Sequence, residues 1–242
     1  MRSPALDAAL ADIDEIFHGF ASPTETGCDR CFSPEAVALL RVPHVPLPRD
    51  ELHTFVHKVR DHYEDHDAVM RRLLPQTARV MADGGFGIGS GRHGLSRTDW
   101  RTWPAEQAAA IEAFLYAWWE AMLLTPEPPY SLDDVLATCA GIGGSATVFL
   151  DRWPIHPVAD THLVNRSRAW ARDLLVDDSP LHWYDHVPDN GVRELGAWLV
   201  RSAHARLVAL GESALAARVA LIALPYDERW SPQNVDTALG ID

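Results

Sequence analysis

A chain of 242 residues, 47% apolar and 23% charged, has the balance of a folded globular protein and the length to bury a core. Its formal net charge of -13 at pH 7 argues against nucleic acid and anionic membranes as partners, because both favour a positive surface. Three cysteines are too few for a secreted disulfide scaffold, and Asp7, Asp12, Asp14 and Glu15 interrupt any signal-like apolar run, so a cytoplasmic protein is expected.

Helical periodicity recurs along the chain. Leu6, Leu10, Ile13, Phe17 and Phe20 repeat at three- and four-residue steps, the stripe of a first amphipathic helix. Ser33-Pro34 sets a hydroxyl cap before a proline and predicts a helix over 34–41. Leu52, Phe55, Val56, Val59 and Tyr63 predict another over 50–63, and a weaker pattern covers 68–82. The stretch Gly84 to Gly94, GGFGIGSGRHG, is too glycine-rich for a helix and reads as an exposed, mobile loop. Pro104 and Glu106 open a Trp-rich helix through Ile111, Phe114, Leu115, Trp118 and Met122. Its apolar span, 108–124, carries Glu112 and Glu120 and falls short of a membrane crossing.

After TPEPPY at 125–130, Ser131 and Asp134 form a capping-box pattern, followed by helical runs at 132–140, 144–152 and 158–175. A long helix is expected from about 190 to 210, another over 213–224, and Ser231-Pro232 marks a last helix start. Alternating β-type runs are absent. The expected fold is all-α, one domain over 1–242, with soft breaks at 84–94 and 125–130. Short Pro-rich connections suit an antiparallel helical bundle or a short α-solenoid with HEAT- or TPR-like pairing. No fixed-period repeat supports the solenoid form.

The chemistry-bearing spacing lies at Cys28-Asp29-Arg30-Cys31, where two thiols can reach one metal ion. Downstream, His53, His57 and Asp61 stand at i, i+4 and i+8, along one edge of the expected 50–63 helix. Cys28, Cys31, His53, His57 and Asp61 are the candidate metal ligands, with zinc the candidate ion and His62 or His66 as further donors. The plainer readings are two packed thiols beside a turn and a solvated helix edge. A redox pair would need a neighbouring βαβ unit, which is missing.

A second cluster comprises His156, Asp160 and His162 with His182, Asp185 and His186, the ingredients of a two-histidine, one-carboxylate site. Asp160 also suits a helix start, which explains it without chemistry. The glycine loop lacks the Gly-Lys-Ser/Thr ending of a phosphate cradle. Nine tryptophans are many for this length; Trp100, Trp103, Trp118 and Trp119 could line an aromatic pocket or fill the core.

Phe20 to Pro23, Cys28-x-x-Cys31, Leu47 to Leu52, Leu73-Leu74-Pro75 and LSRTDWRTWPAE at 95–106 together resemble a family of uncharacterised bacterial proteins. The likeness covers residues 13–124 and implies an all-α fold and no particular activity. Where that family keeps a histidine three residues before the proline, this chain has Arg72. That departure counts against a metal at the cysteine pair.

The leading functional expectation is an α-helical binding or scaffold protein, acting on a protein partner or small molecule through its helical surface or a groove near the Trp-rich helix. The alternative is a metal-dependent enzyme using His53, His57 and Asp61, or the histidines from His156 to His186.

Overall fold

Apolar residues at helical spacing, started by capping side chains, fold this chain into helices, with no strand among the described residues. A computed structural model describes residues 3–85, 93–181 and 190–241. The all-α expectation is met.

Their contacts gather into two compact units, residues 1–121 with 141–143, and residues 122–140 with 144–242. In the first unit, α1 (Pro4–Ile16) starts where the Ser3 hydroxyl accepts the Leu6 N–H at 3.2 Å. It buries Leu6, Leu10 and Ile13. The helix stops before Phe17 and Phe20, earlier than the periodicity suggests, and the chain turns through Gly19 at φ 80°. Next come α2 (Pro34–Leu40), capped by Ser33, and α3 (Arg49–His57). α4 (His66–Ala82) is capped by Asp65 and takes the packing of both α1 and α3. α5 (Ala105–Leu124, of which Ala105–Ala121 belongs here) is the Trp-rich helix.

One helix is shorter than its sequence pattern. The expected 50–63 element ends at His57, and Lys58 and Val59 are extended, with ψ 151° and 153°. Two side chains terminate it. Arg97 donates to the carbonyls of His57 and Lys58 at 3.1 and 2.6 Å, and the Tyr63 hydroxyl donates to the Phe55 carbonyl at 2.5 Å. These are the groups a longer helix would have used internally. Val59 is left exposed, and a 3-10 turn, Arg60–His62, follows.

The four tryptophans weighed as a pocket lining, Trp100, Trp103, Trp118 and Trp119, are each no more than 6% exposed. They are core residues. Of the glycine loop, residues 86–92 lie outside the described residues; at its far end His93 and Gly94 are buried. A Cβ on Gly94 would sit 2.3 Å from the Met70 sulfur and 3.0 Å from the Val56 carbonyl, so only glycine fits there.

The second unit contains α6 (Leu132–Gly143, of which Leu132–Ala140 belongs here), α7 (Thr147–Leu150) and α8 (Pro157–Leu175). α9 (Gly191–Trp198) continues through one π turn, Leu199–Ala203, into α10 (His204–Ala209). α11 (Ser213–Ala220) packs on α8 and α10, and α12 (Tyr226–Arg229) and α13 (Val235–Leu239) close the chain. Ser131 caps α6 as its sequence predicts. Ser231-Pro232 instead opens a turn: the Ser231 carbonyl accepts the N–H groups of Asn234 and Val235, and the helix begins at Val235. The core centres on Trp153, whose ring stacks on Trp198 at 5.6 Å and meets Trp170 edge-on at 6.1 Å. No helix among the described residues is long and apolar enough to cross a membrane.

Candidate metal centre

The Cys28-Cys31 segment is shaped by its backbone. Gly27 sits at φ 65°, where a Cβ would lie 2.8 Å from the Val37 side chain, so glycine is required. The Cys28 carbonyl then accepts the N–H groups of Cys31 and Phe32 at 2.8 and 3.0 Å, closing a tight turn that leads directly into α2. Both thiols consequently face the same side.

A buried carboxylate ties this turn to the chain around residue 64. Glu25 is 0% exposed, and its oxygens accept from the N–H groups of Gly27 at 2.9 Å, Glu64 at 3.1 Å and Asp65 at 3.4 Å. Arg41 holds the Glu25 carbonyl at 2.7 Å. Phe32 adds an aromatic clamp, stacking on Tyr63 at 5.5 Å and standing edge-on to His62 at 6.5 Å.

The result is a three-donor group. Ligand atoms of Cys28, Cys31 and His62 all lie within 4.8 Å of one another, and all three residues are half-buried. An ion bonded at ~2.0–2.3 Å to each donor brings such atoms within roughly 4 Å, a small contraction from this arrangement. The group could hold a metal ion. Two observations fit that use. His62 Nδ1 is buried with no hydrogen-bond partner, the condition of a nitrogen kept for something else. The Cys28 thiol is held below its ordinary value, chiefly by the Arg30 N–H and further by Cys31, against an opposing effect of burial. A thiol biased toward thiolate is a better ligand.

The other candidates are placed elsewhere. The His53 and His57 rings pack tilted against each other at 4.3 Å, and His57 Nδ1 meets the His53 carbonyl at 2.9 Å. Asp61 is exposed on the 3-10 turn, beyond the end of α3, so the four-residue ladder is broken after His57. None of the three belongs to the converging group. Arg72 is buried and donates to the carbonyls of Val42, Leu39 and Val45, closing the chain after α2. Cys139 is fully buried in α6, where desolvation pushes its thiol well above the ordinary range.

Downstream, His156 caps α8, accepting the Val158 N–H at 3.2 Å. Asp160 pairs with Arg206, and His162 Nε2 meets the Thr125 carbonyl at 2.8 Å. His182, Asp185 and His186 lie outside the described residues. Sequence spacing named the two cysteines and gave His62 as one of four histidines that could complete their site, with His53 and His57 preferred. It missed Glu25, which no local signal distinguishes from the other acids.

His66, another of those histidines, begins α4 and is 3% exposed, with neither ring nitrogen partnered. Burial pushes its imidazole down to about 4 from 6.5. Between those pH values the unfolded chain takes up a proton that the folded chain refuses. Stability is therefore expected to fall as pH drops from 6.5 to about 4, by roughly 3 kcal/mol at about 1.4 kcal/mol per pH unit. Urea melts at pH 7 and pH 4.5 should show this loss, and His66→Leu should remove most of the difference. An unchanged difference would place the loss in other groups.

No protein-family model, curated protein or solved structure matches this chain.

Proposed function

We propose that this is a zinc-binding helical protein in which Cys28, Cys31 and His62 hold the ion, of the metal-dependent enzyme class. The observation that carries the reading is the convergence of two thiols and an imidazole nitrogen within 4.8 Å, on a histidine whose Nδ1 is buried without a hydrogen-bond partner. Thiolate and imidazole are the donors that favour zinc among abundant divalent ions. Structural zinc sites close with four protein ligands, whereas sites with three keep a position for water or substrate. A zinc ion in such a site would polarise what occupies that position. Around it, this chain's residues position the donors: Glu25 fixes the turn, and Phe32, itself stacked on Tyr63, stands edge-on to the imidazole. Arg72 does not bear on this site, because its guanidinium is committed to three carbonyls.

Elemental analysis of purified protein should find about one zinc per chain, and metal-free protein should regain it on titration. His62→Ala should weaken binding by more than about tenfold, and Cys28→Ser with Cys31→Ser should abolish it. Full stoichiometry in the double serine variant, or a wild-type chain that takes up no metal, would defeat the reading.

Ligand binding through the helical surface is a second reading. It is favoured by a cavity of about 680 Å³ in the second unit, lined by Leu174, Val192, Ala197, Val200 and Ile222.

A further inference from the structure

Arginines gather in one place in a chain whose net charge is -13. A cavity of about 390 Å³ in the second unit is lined by Asn165, Arg166, Arg168, Ala169, Arg172 and Arg218. Asn165, Arg168, Ala169 and Arg172 stand at i, i+3, i+4 and i+7 on α8, so they share a face. Arg168 and Arg172 are like charges at i, i+4, which is unfavourable by a few tenths of a kcal/mol unless something negative answers them. Arg218 comes from α11, close enough to Arg172 for the two charges to oppose each other.

The carboxylates around this cavity leave most of its donors unused. Arg166 meets Asp133 through Nη1 at 2.7 Å, Arg168 meets Glu212 at 3.4 Å, and Arg172 meets Asp173 through Nε at 2.9 Å. Each guanidinium offers five N–H groups, so each keeps free edges. Among the described residues Arg218 has no hydrogen bond or ion pair, and its Nε is buried without a partner. It is wedged beside the end of α13, where a Cβ on Gly240 would come within 3.3 Å of its Nη1. A half-buried cation beside a second cation, with no carboxylate of its own among the described residues, is costly in isolation.

We propose that Arg172 and Arg218, supported by Arg166, Arg168 and Asn165, form a binding site for a small molecule bearing a phosphate group. Planar guanidinium groups bind phosphate oxygens in pairs, and Asn165 can supply a neutral amide donor. The cavity has the size of a small-molecule site. This site is independent of the metal centre: every lining residue lies in the second unit.

The test uses inorganic phosphate on the full chain at constant ionic strength, with chloride as the balancing salt. Calorimetric titration should show saturable binding, and melting temperature should rise along the same curve. Arg172→Gln, at an exposed position that the fold tolerates, should raise the half-saturating phosphate at least tenfold. Arg218→Gln should do the same. A rise in melting temperature equal in Arg172→Gln and wild type is the general exclusion of phosphate from protein surface, and it overturns the proposal, as does titration without heat. Binding that disappears in Arg172→Gln while its circular dichroism is unchanged supports it even if Arg218→Gln fails to fold.

Discussion

Glu25→Ala should destabilise the first unit by about 3–5 kcal/mol, among the largest losses expected from any single change outside the aromatic core. The Glu25 carboxylate is fully buried and accepts from the N–H groups of Gly27, Glu64 and Asp65. Alanine leaves those donors without an acceptor, and each buried, unsatisfied donor costs about 1–3 kcal/mol, reduced where water can enter. Glu25→Gln keeps one acceptor oxygen and should lose less. Urea denaturation followed by tryptophan fluorescence measures the difference. A loss below 1 kcal/mol for alanine would mean that the segment holds its shape without the carboxylate. Because Glu25 touches no donor of the proposed metal site, weakened zinc affinity in Glu25→Gln would show that the turn is positioned through it.

Arg72→His is expected to harm the protein. Loss of about 2–4 kcal/mol is predicted, because the carbonyls of Leu39, Val42 and Val45 lose their shared donor. An imidazole is shorter and offers fewer donors than a guanidinium. Affinity for zinc at the proposed site should stay unchanged, since the nitrogen of that site is assigned to His62 and not to residue 72. Stability measured together with metal titration separates the outcomes: a tighter site in Arg72→His would mean that residue 72 reaches the cysteines after all.

What could be read in the sequence was what is decided locally. Ser33 and Ser131 announced their helices because a capping hydroxyl acts over three residues. The cysteine pair was visible because its turn closes within four. The end of α3 was not, because Val59 and Tyr63 keep the apolar rhythm while Arg97, forty positions after His57, takes the helix carbonyls. That misjudged end put His62 on the wrong rung and made His53, His57 and Asp61 look like one edge. The downstream histidines had the right chemistry and ordinary duties: His156 caps a helix and His162 ties down a carbonyl. Arg218 escaped notice because its isolation is a fact about neighbours far away in sequence.

Cys31 and His62 stand 31 positions apart, and what joins them is the Glu25 carboxylate and the Phe32 ring rather than any atom of the donors themselves. Closing a flexible loop of that length has an entropic cost of roughly 3 kcal/mol beyond a constant, and here it is met by packing. The order of events in the cell follows from this. A ribosome-bound chain that has displayed only its cysteines offers an ion two thiols and nothing more. The third donor arrives when the chain around residues 60–64 docks, so an ion at the proposed site would be acquired late, by a scaffold already assembled.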